Sequence, residues 1–133
     1  MQQIELQQRL RGVENGVEAL PAIGGGKRGE QIRRALLAAA RQSCNGYRDV
    51  CVSSSPDEFI ERISFVARKA KRTVALLVLL VQLDYIRIEQ VRELIIEARA
   101  LERILTAAKN TSRRRQRQRR ARRSSVKTDA RWR

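Results

Sequence analysis

The chain has 133 residues, with 29 Lys and Arg against 14 Asp and Glu, a formal charge of +15 and no histidine. A chain this cationic repels itself and finds compensation on a polyanion, nucleic acid first and an anionic membrane surface second. Without histidine, the commonest acid–base catalyst and metal ligand is missing, which excludes His-based triads and Cys–His zinc sites. The two cysteines, Cys44 and Cys51, cannot form a four-thiolate site and read as reduced thiols of a cytoplasmic protein. The length is that of one domain, and 42% hydrophobic residues suffice for a modest core. Five rings, Tyr47, Phe59, Phe65, Tyr85 and Trp132, are few for base stacking, and Phe59 and Phe65 read as core.

A first helix is predicted over residues 2–20, where Ile4, Leu6, Leu10, Val13, Val17 and Leu20 recur at helical spacing. Its N-terminal segment is polar and amphipathic, unlike a signal peptide. Pro21 ends it, and Gly24-Gly25-Gly26 reads as a flexible connection. Gly24 to Lys27 lacks the spacing and preceding strand of a phosphate loop. A second helix is predicted over 28–48, with Ile32, Leu36, Ala39, Ala40, Ser43 and Tyr47 on one stripe.

Ser55-Pro56-Asp57-Glu58 is a helix start: a capping hydroxyl, a proline at the first helical position, and a glutamate three residues after the cap. The third helix is predicted to run to about Leu83. Its second half, Val74 to Val81, is the longest apolar run, eight residues, against about 20 needed to span a bilayer. A helix apolar on every side needs cover on more than one face. Leu76, Leu79 and Val81 are therefore expected at a contact with another subunit. After a connection at Asp84 to Arg87, Ile88, Val91, Leu94, Ile95, Ala98, Leu101, Ile104, Leu105 and Ala108 form a long fourth stripe, which ends near Asn110. Beyond it apolar periodicity stops, and ten of the fifteen excess positive charges lie in the last 23 residues. Such blocks stay disordered until they meet a polyanion. The expected fold is all-α: an antiparallel up-down four-helix bundle over residues 1–110 and a disordered Arg-rich tail over 111–133.

No catalytic constellation, metal site or cofactor motif is found, so a non-enzymatic role is expected. The candidate sites are cationic. The tail carries Arg113, Arg114, Arg115, Arg117, Arg119, Arg120, Arg122 and Arg123, suited to forked phosphate contacts. On the body, Arg34, Arg41 and Arg48 recur at seven-residue steps beside Arg33. Arg68, Lys69, Lys71 and Arg72 cluster in the third helix. Together with Lys27 and Arg28 they are candidates for one continuous basic patch.

Gln31-Ile32-Arg33-Arg34-Ala35, Gly46, Ser55 with Glu58-Phe59-Ile60, and Leu83-Asp84-Tyr85-Ile86 stand in an order and spacing that resembles a known family. These are the four-helix bundle proteins first noted in ribosomal-RNA intervening sequences, whose fold is shared by the accessory variability determinants of diversity-generating retroelements. The resemblance covers about residues 5–110. The Ser, Asn and Glu usual in the second helix of the intervening-sequence proteins correspond here to Ala38, Gln42 and Asn45, and Arg72 stands at an acidic position. Loss of these acids moves the chain toward the retroelement accessory proteins. That resemblance implies a basic pentamer that binds RNA, with DNA as a further ligand, and associates with a reverse transcriptase during mutagenic cDNA synthesis. The Arg-rich tail lies outside the family motif. The other readings are a stand-alone bundle of the intervening-sequence type and a scaffold whose tail is a nonspecific polyanion or membrane anchor.

Overall fold

A computed structural model describes residues 3–131, and their side chains as far as residue 125. Trp132 and Arg133, and the side chains of Lys127 and Arg131, lie outside that description. Four helices follow in order: α1 (Gln3–Glu18), α2 (Gly26–Cys51), α3 (Pro56–Gln82) and α4 (Ile88–Arg131). Helix α1 touches α2 and α4, and α3 touches α2 and α4. The diagonal pairs do not meet. Short connections make each neighbour antiparallel, so the architecture is the up-down four-helix bundle expected from the stripes.

The stripes supply the core. Val17, Leu36, Cys44, Ile63, Val66, Leu77, Leu80, Val91, Leu101 and Leu105 are fully shielded from solvent. Ile4 departs from its predicted place. It is 70% exposed, because about 200° of helical turn separates it from Leu6 and places it off the face that Leu6, Leu10, Val13 and Val17 bury. Cys44 is a core group whose thiol is pushed up by burial, and Gln7 Nε2 donates to its carbonyl at 3.0 Å. Cys51, two turns on in the same helix, is about 10 Å farther along the axis, too far for a disulfide with Cys44.

Helix α3 starts as its sequence dictates. Ser55 is extended at φ −146° and its hydroxyl accepts from the Glu58 amide at 3.1 Å. The Glu58 carboxylate does not close back on Ser55. It accepts from the Ser54 hydroxyl at 2.8 Å and pairs with Arg62 at 2.6 Å. Arg62 in turn donates to the Asp49 carbonyl at 2.8 Å, which ties the end of α2 to the start of α3. At Gly46 the same two helices approach so closely that a Cβ would stand 2.9 Å from Val66 Cγ2.

The glycine run between α1 and α2 is anchored rather than flexible. The Gly24 amide donates to the Tyr85 carbonyl at 2.9 Å. Gly25 has φ +86°, and a Cβ there would strike the Tyr85 ring. The α1–α2 and α3–α4 connections therefore brace each other at one end of the bundle.

The apolar segment Val74–Val81 is covered largely within the chain. Val74, Leu77 and Leu80 are buried, and Leu76, Val78, Leu79 and Val81 are half-buried against the core. Two helices, α2 and α4, flank α3, so one chain shields more of this segment than a single packed face would.

The largest departure is the tail. Helix α4 does not stop near Asn110. It crosses the expected domain boundary without interruption and continues to Arg131, 44 residues in all. Residues 111–125 contain no glycine or proline, and Arg, Gln and Ala are strong helix formers. Cations near a helix C-terminus also favour its dipole. Like charges three and four residues apart oppose this by about 0.2–0.5 kcal/mol per pair. Periodicity of apolar residues reports burial, and the tail is a helix without an apolar stripe.

The α1–α4 seam is the thinnest in the bundle, and a two-pronged ion pair spans it. Arg9 Nε donates to Glu97 Oε2 at 3.0 Å, and Arg9 Nη2 meets Oε1. The hydrogen bond from Arg9 holds the Glu97 carboxyl below the ordinary range, against a smaller opposing effect of burial. A depressed carboxylate contributes stability above its unfolded pKa of about 4.3 and loses it as pH falls through the folded value. Both side chains are about a third exposed, which limits the pair to roughly 1 kcal/mol or less. Glu97→Gln is expected to lower the urea midpoint at neutral pH, and the gap to the parent is expected to close in acid. In the core, Leu77→Ala is expected to cost about 2–5 kcal/mol by the same unfolding measurement.

Candidate nucleic-acid interface

The cations singled out from the sequence fall into separate places. On α2, Arg33 and Arg41 turn toward α1. The Arg33 guanidinium donates to the carbonyls of Glu18, Leu20 and Pro21 at 3.1–3.4 Å, which caps the C-terminal end of α1. Arg41 pairs with Glu18 at 2.6 Å and Glu14 at 3.7 Å. Arg34 pairs with Glu30 one turn away. Arg48 is exposed and lines a hollow with Ile4, Gln7 and Cys51. Arg33 and Arg41 hold the bundle together as much as they advertise charge.

Lys27 and Arg28 are exposed in the first turn of α2, at the end of the bundle opposite the Arg-rich extension. About 30 Å of helix separates them from Arg48. They do not form one continuous patch with the others.

Helix α3 divides its cluster between two sides. Lys69 sits over the Phe65 ring at 5.4 Å, on the side of α3 that meets α2 at Gly46. Arg72, three residues on, is exposed on the same side. Lys71 is exposed seven residues after Ser64, on the face that turns toward α4, whereas Arg68 is exposed beside Gly46, Asp49 and Phe65, on the α2 side. Ser64 is where α4 arrives: Arg113 Nη2 reaches its hydroxyl at 3.5 Å. Of the α3 cations, Lys71 therefore shares the side on which the root of the arginine helix lies.

That root is anchored by contacts the sequence reading did not anticipate. Gln116 donates to the Asp57 carboxylate in the first turn of α3. Ser112, Gln116 and Arg119 are half-buried at steps of four and three along α4. Pro56, Asp57, Gln116, Arg119, Arg120 and Arg123 line a cavity of about 110 Å³ between the two helices. The only advance signal was the absence of a helix breaker in Ser112–Gln118. Beyond Arg123, the last residue of that cavity, α4 continues for about 12 Å. Arg113, Arg114, Arg115, Arg117, Arg120, Arg122 and Arg123 are exposed, and no acid interrupts them before Asp129.

Aromatic rings contribute little to this surface. Tyr47 is buried, and burial, reinforced by the Cys51 thiol beside it, pushes its phenol up to about 12. Phe59, Phe65 and Tyr85 are half-buried against the core. Among the described residues no ring is exposed for stacking. Among the same residues no group of three or more Cys, Asp or Glu side chains could hold a metal ion, and no helix is long and apolar enough to cross a membrane.

The fold and this surface define an all-α four-helix bundle extended at one corner by a cationic helix. No protein-family model, curated protein or solved structure matches the chain.

Asp57→Ala is expected to loosen the root of the extension while sparing the core. Amide exchange should quicken at residues 112–119, and the bundle's unfolding midpoint should stay nearly unchanged.

Proposed function

We propose that the chain is a non-catalytic nucleic-acid-binding scaffold that serves as an RNA-binding accessory protein of a reverse transcriptase. The observation that carries the nucleic-acid reading is the arginine helix, anchored at Asp57, with Lys71 of α3 on the side it approaches. Guanidinium groups fork onto phosphate oxygens, and each phosphate neutralised releases counterions. The polymerase partnership, the pentameric assembly and the preference for RNA over DNA rest on the resemblance to retroelement accessory determinants. The half-buried Leu76, Leu79 and Val81 are the proposed subunit contacts. A membrane anchor is the weaker reading, because an interfacial helix needs an apolar face and this extension has none.

The test is binding of the full chain and of a version ending at Thr111, which retains every buried core residue, to a structured RNA and a matched DNA duplex across a salt series. For the full chain, log affinity is expected to fall with log salt at a slope of roughly −5 or steeper. The shortened chain should lose most of this affinity and keep a weak RNA preference through α3. Loss of all binding without any RNA preference would leave a protein-interaction scaffold with a generic cationic anchor. A stable complex with a reverse transcriptase on size exclusion is expected as well, and its absence would remove the accessory role.

A further inference from the structure

The arginine helix has a shape as well as a charge. Each residue turns it by about 100°, so arginines at 113, 114, 115, 117, 119, 120, 122 and 123 point to every side of the axis. A helix meant for one flat surface concentrates its cations on one face. A helix with cations all round is matched by an anion that lines it on two sides. With its side chains an α-helix is about 10–12 Å across, and the major groove of B-form DNA is about 12 Å wide with a phosphate backbone on each wall. The major groove of regular A-form RNA is too narrow to be entered this way, unless a bulge or internal loop opens it. Single strands are the poorer match, because their recognition rests on stacked rings and none is exposed among the described residues.

We infer that the C-terminal half of α4 is a preformed groove-inserting helix whose ligand is double-helical nucleic acid with an open major groove. This rests on the reading of the extension as a nucleic-acid site. It adds that rigid helical form is required, where a flexible polycation of equal charge would need only charge. The anchor at Asp57 and the half-buried Ser112, Gln116 and Arg119 hold the root. The helix thus enters a groove along a direction set by the bundle, and Lys71 meets phosphates beside the groove.

Ala121→Pro separates form from charge. Proline at 121 lacks the amide that bonds the Arg117 carbonyl and clashes with it, so the helix breaks there with every arginine kept. Ala121→Gln keeps both helix and charge and serves as the control. The full-length parent and both variants are titrated with a B-form DNA duplex, an RNA duplex with a central bulge, a regular RNA duplex and a single strand of equal phosphate count. Unfolding midpoints check that the bundle is intact in each.

The parent and Ala121→Gln are expected to bind the open-groove duplexes on the order of tenfold more tightly than the single strand. Ala121→Pro is expected to lose that margin while its single-strand affinity stays within about twofold of the parent. Equal affinities of parent and Ala121→Pro for every ligand would overturn the inference and leave the extension as a flexible polycation, with the nucleic-acid reading intact. Binding of DNA but not of the bulged RNA would keep the groove-inserting helix and remove the RNA-binding role. Failure to bind any nucleic acid at low salt would remove both.

Discussion

The burial of α3 between α2 and α4 governs the rest of the molecule. Ile63, Val66, Leu77 and Leu80 reach full shielding because a helix lies on each side of their stripe. Close packing of this kind needs small residues where backbones approach, and Gly46 opposite Val66 supplies one. With α3 held from both sides, α4 is committed to run antiparallel along it. Helix α3 has 27 residues and α4 has 44. The excess, about 25 Å of helix, has to leave the bundle beside the first turn of α3. The position of the arginine helix is therefore a consequence of core packing and of unequal helix lengths.

The same geometry sorts the charges. Within the bundle, cations meet acids or carbonyls on neighbouring helices: Arg9 with Glu97, Arg41 with Glu14 and Glu18, Arg33 with the end of α1, and Arg62, itself paired with Glu58 of its own helix, with the Asp49 carbonyl. These contacts are half-exposed, so each contributes modestly, but together they fasten α1, whose apolar contact is the smallest. Past Gln116 the arginines meet little counter-charge: Asp57 lines a cavity with Arg119, Arg120 and Arg123, and no acid stands in α4 itself before Asp129. The repulsion among the arginines remains, and it is what a polyanion would relieve.

The cations divide a structural set from a surface set, which composition alone does not do. A charge of +15 points to a polyanion but does not say which side chains are available to it. The answer depends on which helix face each occupies and on what stands across from it. Lys69, over the Phe65 ring, and Arg68, one residue earlier and exposed, illustrate how little sequence distance separates the two.

Four helices, their order and nearly all of their boundaries were legible in the sequence, because the signals are local. Apolar residues at helical spacing mark a buried face, and Ser55, Pro56 and Glu58 satisfy their own first turn without help from elsewhere. The arginines of the extension were legible for the same reason. Three things were decided only by tertiary structure. The pairing of Arg33 and Arg41 depends on α1, which is distant in sequence. The locking of the glycine connection depends on Tyr85 packing over Gly25 from another loop. The continuation of α4 into the tail lies beyond any apolar stripe. There Gln116 reaches Asp57, 59 residues away in the chain. Local patterning reveals where a helix is buried. Which exposed segment stays helical, and which charge remains unpaired, is settled by the partners that the fold brings alongside.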